Sequence, residues 1–134
     1  MSDWNAKIID EFRANDDKVG APFEGAPVLL LHTRGAKTGR DLVHPVVYQP
    51  VGDALAVFAS KGGAPTNPDW YHNLKANPDV KVEVGTDTID ARARVLEDDE
   101  RAPIWEKQKQ LMPGFAEYER KTTRQIPVVI LERV

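Results

Sequence analysis

Two runs of strict alternation, joined by a short turn, limit this chain more than any other feature. Val80, Val82 and Val84 alternate with Lys81 and Glu83, and Ile89, Ala91, Ala93 and Val95 alternate with Asp90, Arg92 and Arg94. A period of two with apolar residues on one side is the pattern of a strand buried on one face. Gly85-Thr86-Asp87 between the runs is turn chemistry, so the pair predicts an antiparallel hairpin.

Other segments fit the same scheme. Val28–Thr33 is a short apolar run, as expected of a strand covered on both faces. Leu42–Gln49 predicts a second strand, and Pro45 places it at an edge or a bulge, because proline brings no N–H to a ladder. Pro50–Asp53 turns it into Leu55–Ala59, and Ile126–Leu131 closes the chain as the last strand. Six strands in hairpins leave exposed edges, which curling into a barrel removes. The expected fold class is therefore α+β, a six-stranded antiparallel barrel with flanking helices. The chain is read as one domain over 1–134, with an N-terminal amphipathic helix and linker over 1–20 and the barrel with its helices over 27–134.

The helices are marked by spacing and by breakers. Trp4, Ile8, Ile9 and Phe12 follow helical spacing over 3–15, with Ser2 or Asp3 as cap and acidic residues opposite. Those acids oppose an anionic lipid surface, so this helix is expected to pack on the domain, without a stable membrane anchor. A loop is expected over 22–27. Asp98–Leu111 predicts a helix capped by Asp98 or Asp99, with Ile104, Trp105 and Leu111 on one side. Pro113-Gly114 breaks it, and 115–124 forms another short helix.

Residues 55–78 carry the strongest chemical hint. A buried strand runs into Ser60-Lys61-Gly62-Gly63, whose two glycines tolerate positive φ. Asn67 is the expected N-cap of the next helix, with Pro68 at its first position and Asp69 favourable to the dipole. Asn77-Pro78 ends that helix near Ala76. A strand, a glycine loop with a lysine and a new helix N-terminus together suit an anionic group. A second basic turn, Arg34 to Arg40, brings Lys37, Thr38 and Gly39 with it. Alone it reads equally as a solvated hairpin turn. With the Lys61 loop it suggests an elongated polyanion. Trp70 and Asn73 share a helix face, and for Trp70 a core role is the plain explanation.

Several classes are disfavoured by what is missing. The 134 residues contain no cysteine, which removes disulfides, thiolate metal sites and a cysteine nucleophile. The three histidines, His32, His44 and His72, lack metal-ligand spacing, and no serine sits in a G-x-S-x-G elbow. A net charge of −3 disfavours a general nucleic-acid binder. No run approaches a membrane span and the N-terminus lacks signal-peptide character, so a cytoplasmic protein is expected.

The segments HTRGAKTGRDLVHPVVY, ASKGGAPTNPDWYHNLKANPDVKVEV and RQIPVVIL, in that order, resemble the deazaflavin-dependent nitroreductase and quinone reductase family of actinobacteria. The resemblance covers the chain from about Pro27 onward and implies a split β-barrel oxidoreductase using coenzyme F420. It implies that Lys37, Thr38, Gly39 and Arg40 face the anionic tail and that Lys61 lies near the phosphate. It also implies that Pro45, Val46 and Val47 line the ring edge through backbone groups, and that Ala59, Ser60, Gly62, Trp70 and Asn73 complete the pocket. Ser60 and Tyr118 are the candidate catalytic groups on the acceptor side, with no metal. Nitro-reducing members carry a tyrosine-rich segment before the last strand. Here Leu111–Tyr118 has a single tyrosine, which points to quinones or enones, including unsaturated lactones, ahead of nitro compounds. The alternatives are an FMN-binding split-barrel oxidoreductase and a non-catalytic deazaflavin carrier. A small-molecule acceptor is the expected partner, and a monomer the expected state.

Overall fold

The computed structural model describes residues 3–14, 27–63 and 66–134; residues 3–6 and Gly62 are described for the backbone alone. The loop expected over 22–27 and the Ser2 cap therefore lie outside the described residues, except for Pro27. So does the Trp4 side chain.

Helix α1 (Asp3–Ala14) precedes strands β1 (Val28–Arg34), β2 (Asp41–Val51) and β3 (Ala54–Phe58). A 3-10 turn at Lys61–Gly63 leads to α2 (Asp69–Ala76), then β4 (Asp79–Val84) and β5 (Asp87–Val95). Helices α3 (Asp98–Leu111) and α4 (Gly114–Lys121) precede β6 (Val128–Arg133). The strands close a barrel in the order β1-β2-β3-β6-β5-β4, with every pairing antiparallel. The expected hairpins form, and closure leaves no free edge strand, although β2 outruns its pairing with β3.

The strands sort their side chains by alternation. Leu29, Leu31, Val57, Val82, Val129 and Leu131 fill the barrel interior, which Trp70 and Leu74 of α2 join. On one outer wall Ile8, Ile9 and Phe12 of α1 bury Val28 and Leu30, so β1 is covered on both faces as its sequence required. On another, Trp105 of α3 and Phe115 of α4 pack over Phe58, Val128 and Ile130. Burying a side chain of this size contributes roughly 1.5–3 kcal/mol, so the Ile8, Ile9 and Phe12 stripe suffices to hold α1 against the barrel. Arg13 adds a bidentate pair with Glu83 of β4, at 3.2 and 2.7 Å, and His32 lies 2.6 Å from the same carboxylate.

Some local expectations change. Asn67 is not the cap of α2. Pro68 holds the N-cap position with extended backbone, and the Asn67 side chain is drawn 2.6 Å from an Arg124 nitrogen instead. Asp98 is the first residue of α3 rather than its cap, which is Glu97, and neither end-group makes a side-chain capping bond. Leu111 is 59 % exposed, because the helix turns Trp105 and Gln108 inward. Gln108 is held there by the Gln49 amide at 3.2 Å. Helix α4 stops at Lys121, and Ile126 is buried just before β6 begins.

Candidate functional site

The site follows from where β2 and β3 part. Their register runs from Val51↔Ala54 to Tyr48↔Val57 and no further, while β1 pairs with β2 from Val47 down to Asp41. The first half of β2 thus has β1 on one side and an open edge on the other. Tyr48 N–H donates to Pro27 O, which fixes the alternation: even-numbered residues of β2 direct their peptide groups at β1, and odd-numbered ones away from it. Pro45 falls on the odd set, opposite Leu30, so its missing N–H costs the β1 ladder nothing. Its central position in β2 is compatible with the local edge that proline demanded.

Val43 and Pro45 therefore present backbone groups to the split. Val47 belongs to the same set at the point where β3 joins. Val46 turns its peptide groups to β1 and its side chain toward the barrel cluster. Continuing the β2–β3 register past Tyr48↔Val57 sets Ser60 opposite Pro45. There β3 has bent toward β6: Ala59 N–H donates to Pro127 O, and the Arg124 guanidinium lies 3.1 Å from Ala59 O and Ser60 O. A planar trans peptide points its N–H opposite to its C=O, so the Ser60 and Lys61 N–H groups face away from Arg124. Neither donates to another described residue. Lys61 lies at φ 47°, the one non-glycine residue with positive φ among those described. The two-glycine expectation is thus half met: Gly63 is left-handed at φ 85°, and Lys61 shares the burden. Adjacent amides beside a left-handed residue form an anion-binding concavity. The exposed Lys61 side chain adds a cation above it, with Nζ 3.4 Å from Thr66 Oγ1.

The basic turn closes one end of the split. Gly35 N–H donates to Arg40 O, Gly39 N–H to Gly35 O, and Arg40 N–H to Thr38 Oγ1. Gly39 takes φ 70°, a conformation that suits glycine. Arg34, Lys37 and Arg40 are exposed on this compact loop. At the strand rise of about 3.4 Å per residue, Arg40 stands roughly 17 Å along β2 from Pro45.

Asn73 sets the turn's position. It is buried, accepting from Ala36 N–H at 3.0 Å and donating to Thr33 Oγ1 at 3.1 Å. Thr33 Oγ1 also lies 2.9 Å from His44 Nε2, so one hydroxyl serves both the Asn73 amide and the imidazole. Burial pushes the His44 pKa below its ordinary value, with Asp69 partly opposing. This Ala36–Asn73–Thr33–His44 chain ties the turn to α2, β1 and β2. Sequence spacing gave Asn73 a helix face and no hint of the chain.

Trp70 is buried in the same barrel cluster as Ala59, the core position its spacing allowed. Ser60 is nearly buried and Tyr118 half-buried. Gly63 brings them to one neighbourhood, since a Cβ there would stand 3.0 Å from Tyr118 O and 3.0 Å from Lys121 Cβ. The Tyr118 ring packs on Phe115. Arg124, which no spacing rule singled out, holds this region together.

A separate open cleft of about 710 Å³ lies between β1, β4 and the end of α2. Of the residues chosen from sequence it touches only Arg34, at the edge of the basic turn. Asp41, Asp79 and Asp90 outnumber Arg34 and Lys81 on its walls, the wrong sign for a polyanion. Among the described residues no group of acidic or histidine side chains forms a metal site, and no helix is long and apolar enough to cross a membrane.

A family profile described as F420H(2)-dependent quinone reductase matches residues 4–133. An F420H(2)-dependent quinone reductase of Mycobacterium tuberculosis is 40% identical over 126 residues, spanning 91% of this chain and 85% of its own. The solved structure of an F420-H2 dependent reductase superposes with TM-score 0.73 at 43% identity, covering 79% of this chain and 94% of the other. A second structure, described as a domain-swapped dimer, gives TM-score 0.75 at 37% identity and covers 97% and 98%. The expectation of a monomer finds no support there.

Proposed function

The chain belongs to the F420H(2)-dependent quinone reductase family, and from that premise we propose that its cofactor lies along the split between β2 and the Ser60–Lys61 loop, with a quinone as acceptor. It is an oxidoreductase that takes hydride from reduced coenzyme F420 to an electron-poor acceptor. The observation that carries the placement is the outward pair of Ser60 and Lys61 amides beside left-handed Lys61, facing the unpaired edge of β2.

These residues fit the group. An anionic phosphodiester finds two backbone donors and the Lys61 ammonium, and an acidic tail finds Lys37 and Arg40 roughly 17 Å away along the strand. Thr38 and Gly39 shape the turn that presents those cations. When bound, the reduced deazaflavin supplies a hydride from carbon, and the rest is the protein's work. The Val43 and Pro45 peptide groups offer polar contacts to a flat ring's edge, which fixes its orientation in the split. Ala59 and Trp70 support the loop from inside the barrel. The Tyr118 hydroxyl and Ser60 are the nearby polar groups for an acceptor oxygen that gains charge.

The test is a titration of the purified protein with reduced F420 and, in parallel, reduced FMN, followed by menadione. Binding of the deazaflavin with menadione-dependent recovery of its visible absorbance is expected. Binding and turnover of FMN alone would sink the assignment, and deazaflavin binding without turnover over a panel of quinones and enones would make the protein a carrier.

A further inference from the structure

Arg124 reaches back from the segment before β6 to both ends of the loop that carries Lys61. Its Nη2 lies 3.1 Å from the carbonyl oxygens of Ala59, Ser60 and Thr66, and its Nη1 donates to Asn67 Oδ1 at 2.6 Å. No other side chain among the described residues touches the loop at so many points. We infer that Arg124 is the positioning residue of the anion cradle: by gathering the carbonyls of Ala59 and Ser60 it turns the next two amides toward the split and keeps Lys61 left-handed. The inference rests on the proposed cofactor placement and adds to it the group that creates the binding geometry.

The chemistry favours arginine here. A planar guanidinium presents donors in a fixed fork, which meets several carbonyls at set angles. A lysine offers one compact ammonium and cannot hold Asn67 and three carbonyls together. The carbonyls also have a reason to need it. A left-handed backbone is unfavourable for a non-glycine residue, so a loop released from Arg124 relaxes, and the Ser60 and Lys61 N–H groups lose their common direction. The same segment is braced on its other side by Gly63, which lies so close to α4 that a Cβ there would stand 3.0 Å from Tyr118 O. The loop is thus set between α4 and Arg124. Arg124 contacts the loop, so its effect is confined to the cofactor half of the site.

The experiment compares wild type with Arg124→Lys, Arg124→Gly and Lys61→Ala. The readouts are the Kd for reduced F420, the KM for menadione, the melting temperature and the Lys61 backbone coupling constant that reports φ. Arg124→Lys is expected to weaken cofactor binding at least tenfold, to leave the menadione KM within twofold, and to move the Lys61 coupling toward right-handed values. In Arg124→Gly, guanidinium at millimolar concentration restores affinity at least threefold, whereas Lys61→Ala gains nothing from it. Should Arg124→Gly not fold, the lysine variant carries the decision, with Asn67→Ala expected to weaken binding a few-fold. A folded Arg124→Lys with Kd within twofold of wild type, or with unchanged Lys61 coupling, overturns the inference. If wild type itself binds no deazaflavin, the functional placement falls, and the coupling constant still decides what Arg124 does to the loop.

Discussion

Replacing Lys61 separates charge from backbone geometry, because its φ of 47° makes alanine and glycine act differently. Lys61→Ala removes the ammonium and keeps the left-handed cost. Lys61→Gly removes the ammonium and most of that cost, roughly 1–2 kcal/mol, against about 0.5–1 kcal/mol for glycine's greater freedom when unfolded. Glycine is therefore expected to melt at or above wild type, and alanine slightly below it. For binding, a hydrogen bond to a charged group is worth about 1.5–3 kcal/mol, and exposure of Lys61 puts it at or below the lower end. That converts to roughly tenfold in Kd. Both variants should lose this factor, and the loss should shrink as salt rises, since screening at 0.15 M already acts over about 8 Å. Isothermal or fluorescence titration with F420 at two ionic strengths, beside thermal melts, reads all of this. Affinity within twofold of wild type in both variants refutes the cation's role. A large loss in alanine with none in glycine would show that backbone shape alone matters.

Other consequences are equally concrete. Thr33→Val leaves Asn73 Nδ2 and His44 Nε2 without their shared hydroxyl, so denaturant unfolding should show a loss of about 2 kcal/mol; a loss below about 0.5 kcal/mol contradicts the chain. His44 titrates below its ordinary 6.5 in the folded protein because burial disfavours its charged form. Below 6.5 the unfolded chain takes up the proton first, so stability falls as pH drops from there toward the folded pKa. His44→Phe should flatten that segment of the profile, and an unchanged slope would exclude His44 as its source. The Arg13 guanidinium holds Glu83 below the usual carboxylate range, with burial opposing and His32 assisting. That contribution is complete above the unfolded carboxylate pKa and lost as pH falls through the folded one. Glu83→Gln should cost about 1 kcal/mol at neutral pH and much less in acid, and an equal cost at both argues against the ion pair.

The barrel was legible because alternation is local: β4 and β5 could be read residue by residue, and α3 was found with its bounds intact. The caps were not, because they depend on distant partners. Asn67 has an N-cap's chemistry, but Arg124 claims its oxygen from across the domain. Leu111 carried the helical pattern yet is exposed, since the buried Gln49–Gln108 bond decides which face of α3 turns inward. The two anion-suited loops were visible in composition. The open edge of β2 beside them was not, because it exists only where β2 continues past the end of β3. Proline at position 45 hinted at an open edge, and only the register showed that its peptide faces that edge.

The most direct measurement of the central claim is a map of amide shifts as reduced F420 is added to the labelled protein. The largest changes are expected at Ser60 and Lys61, with Lys37 to Arg40 following and the Thr86–Thr88 turn still. Changes centred on Asn77 to Lys81 in the open cleft, with Ser60 and Lys61 unmoved, would contradict it.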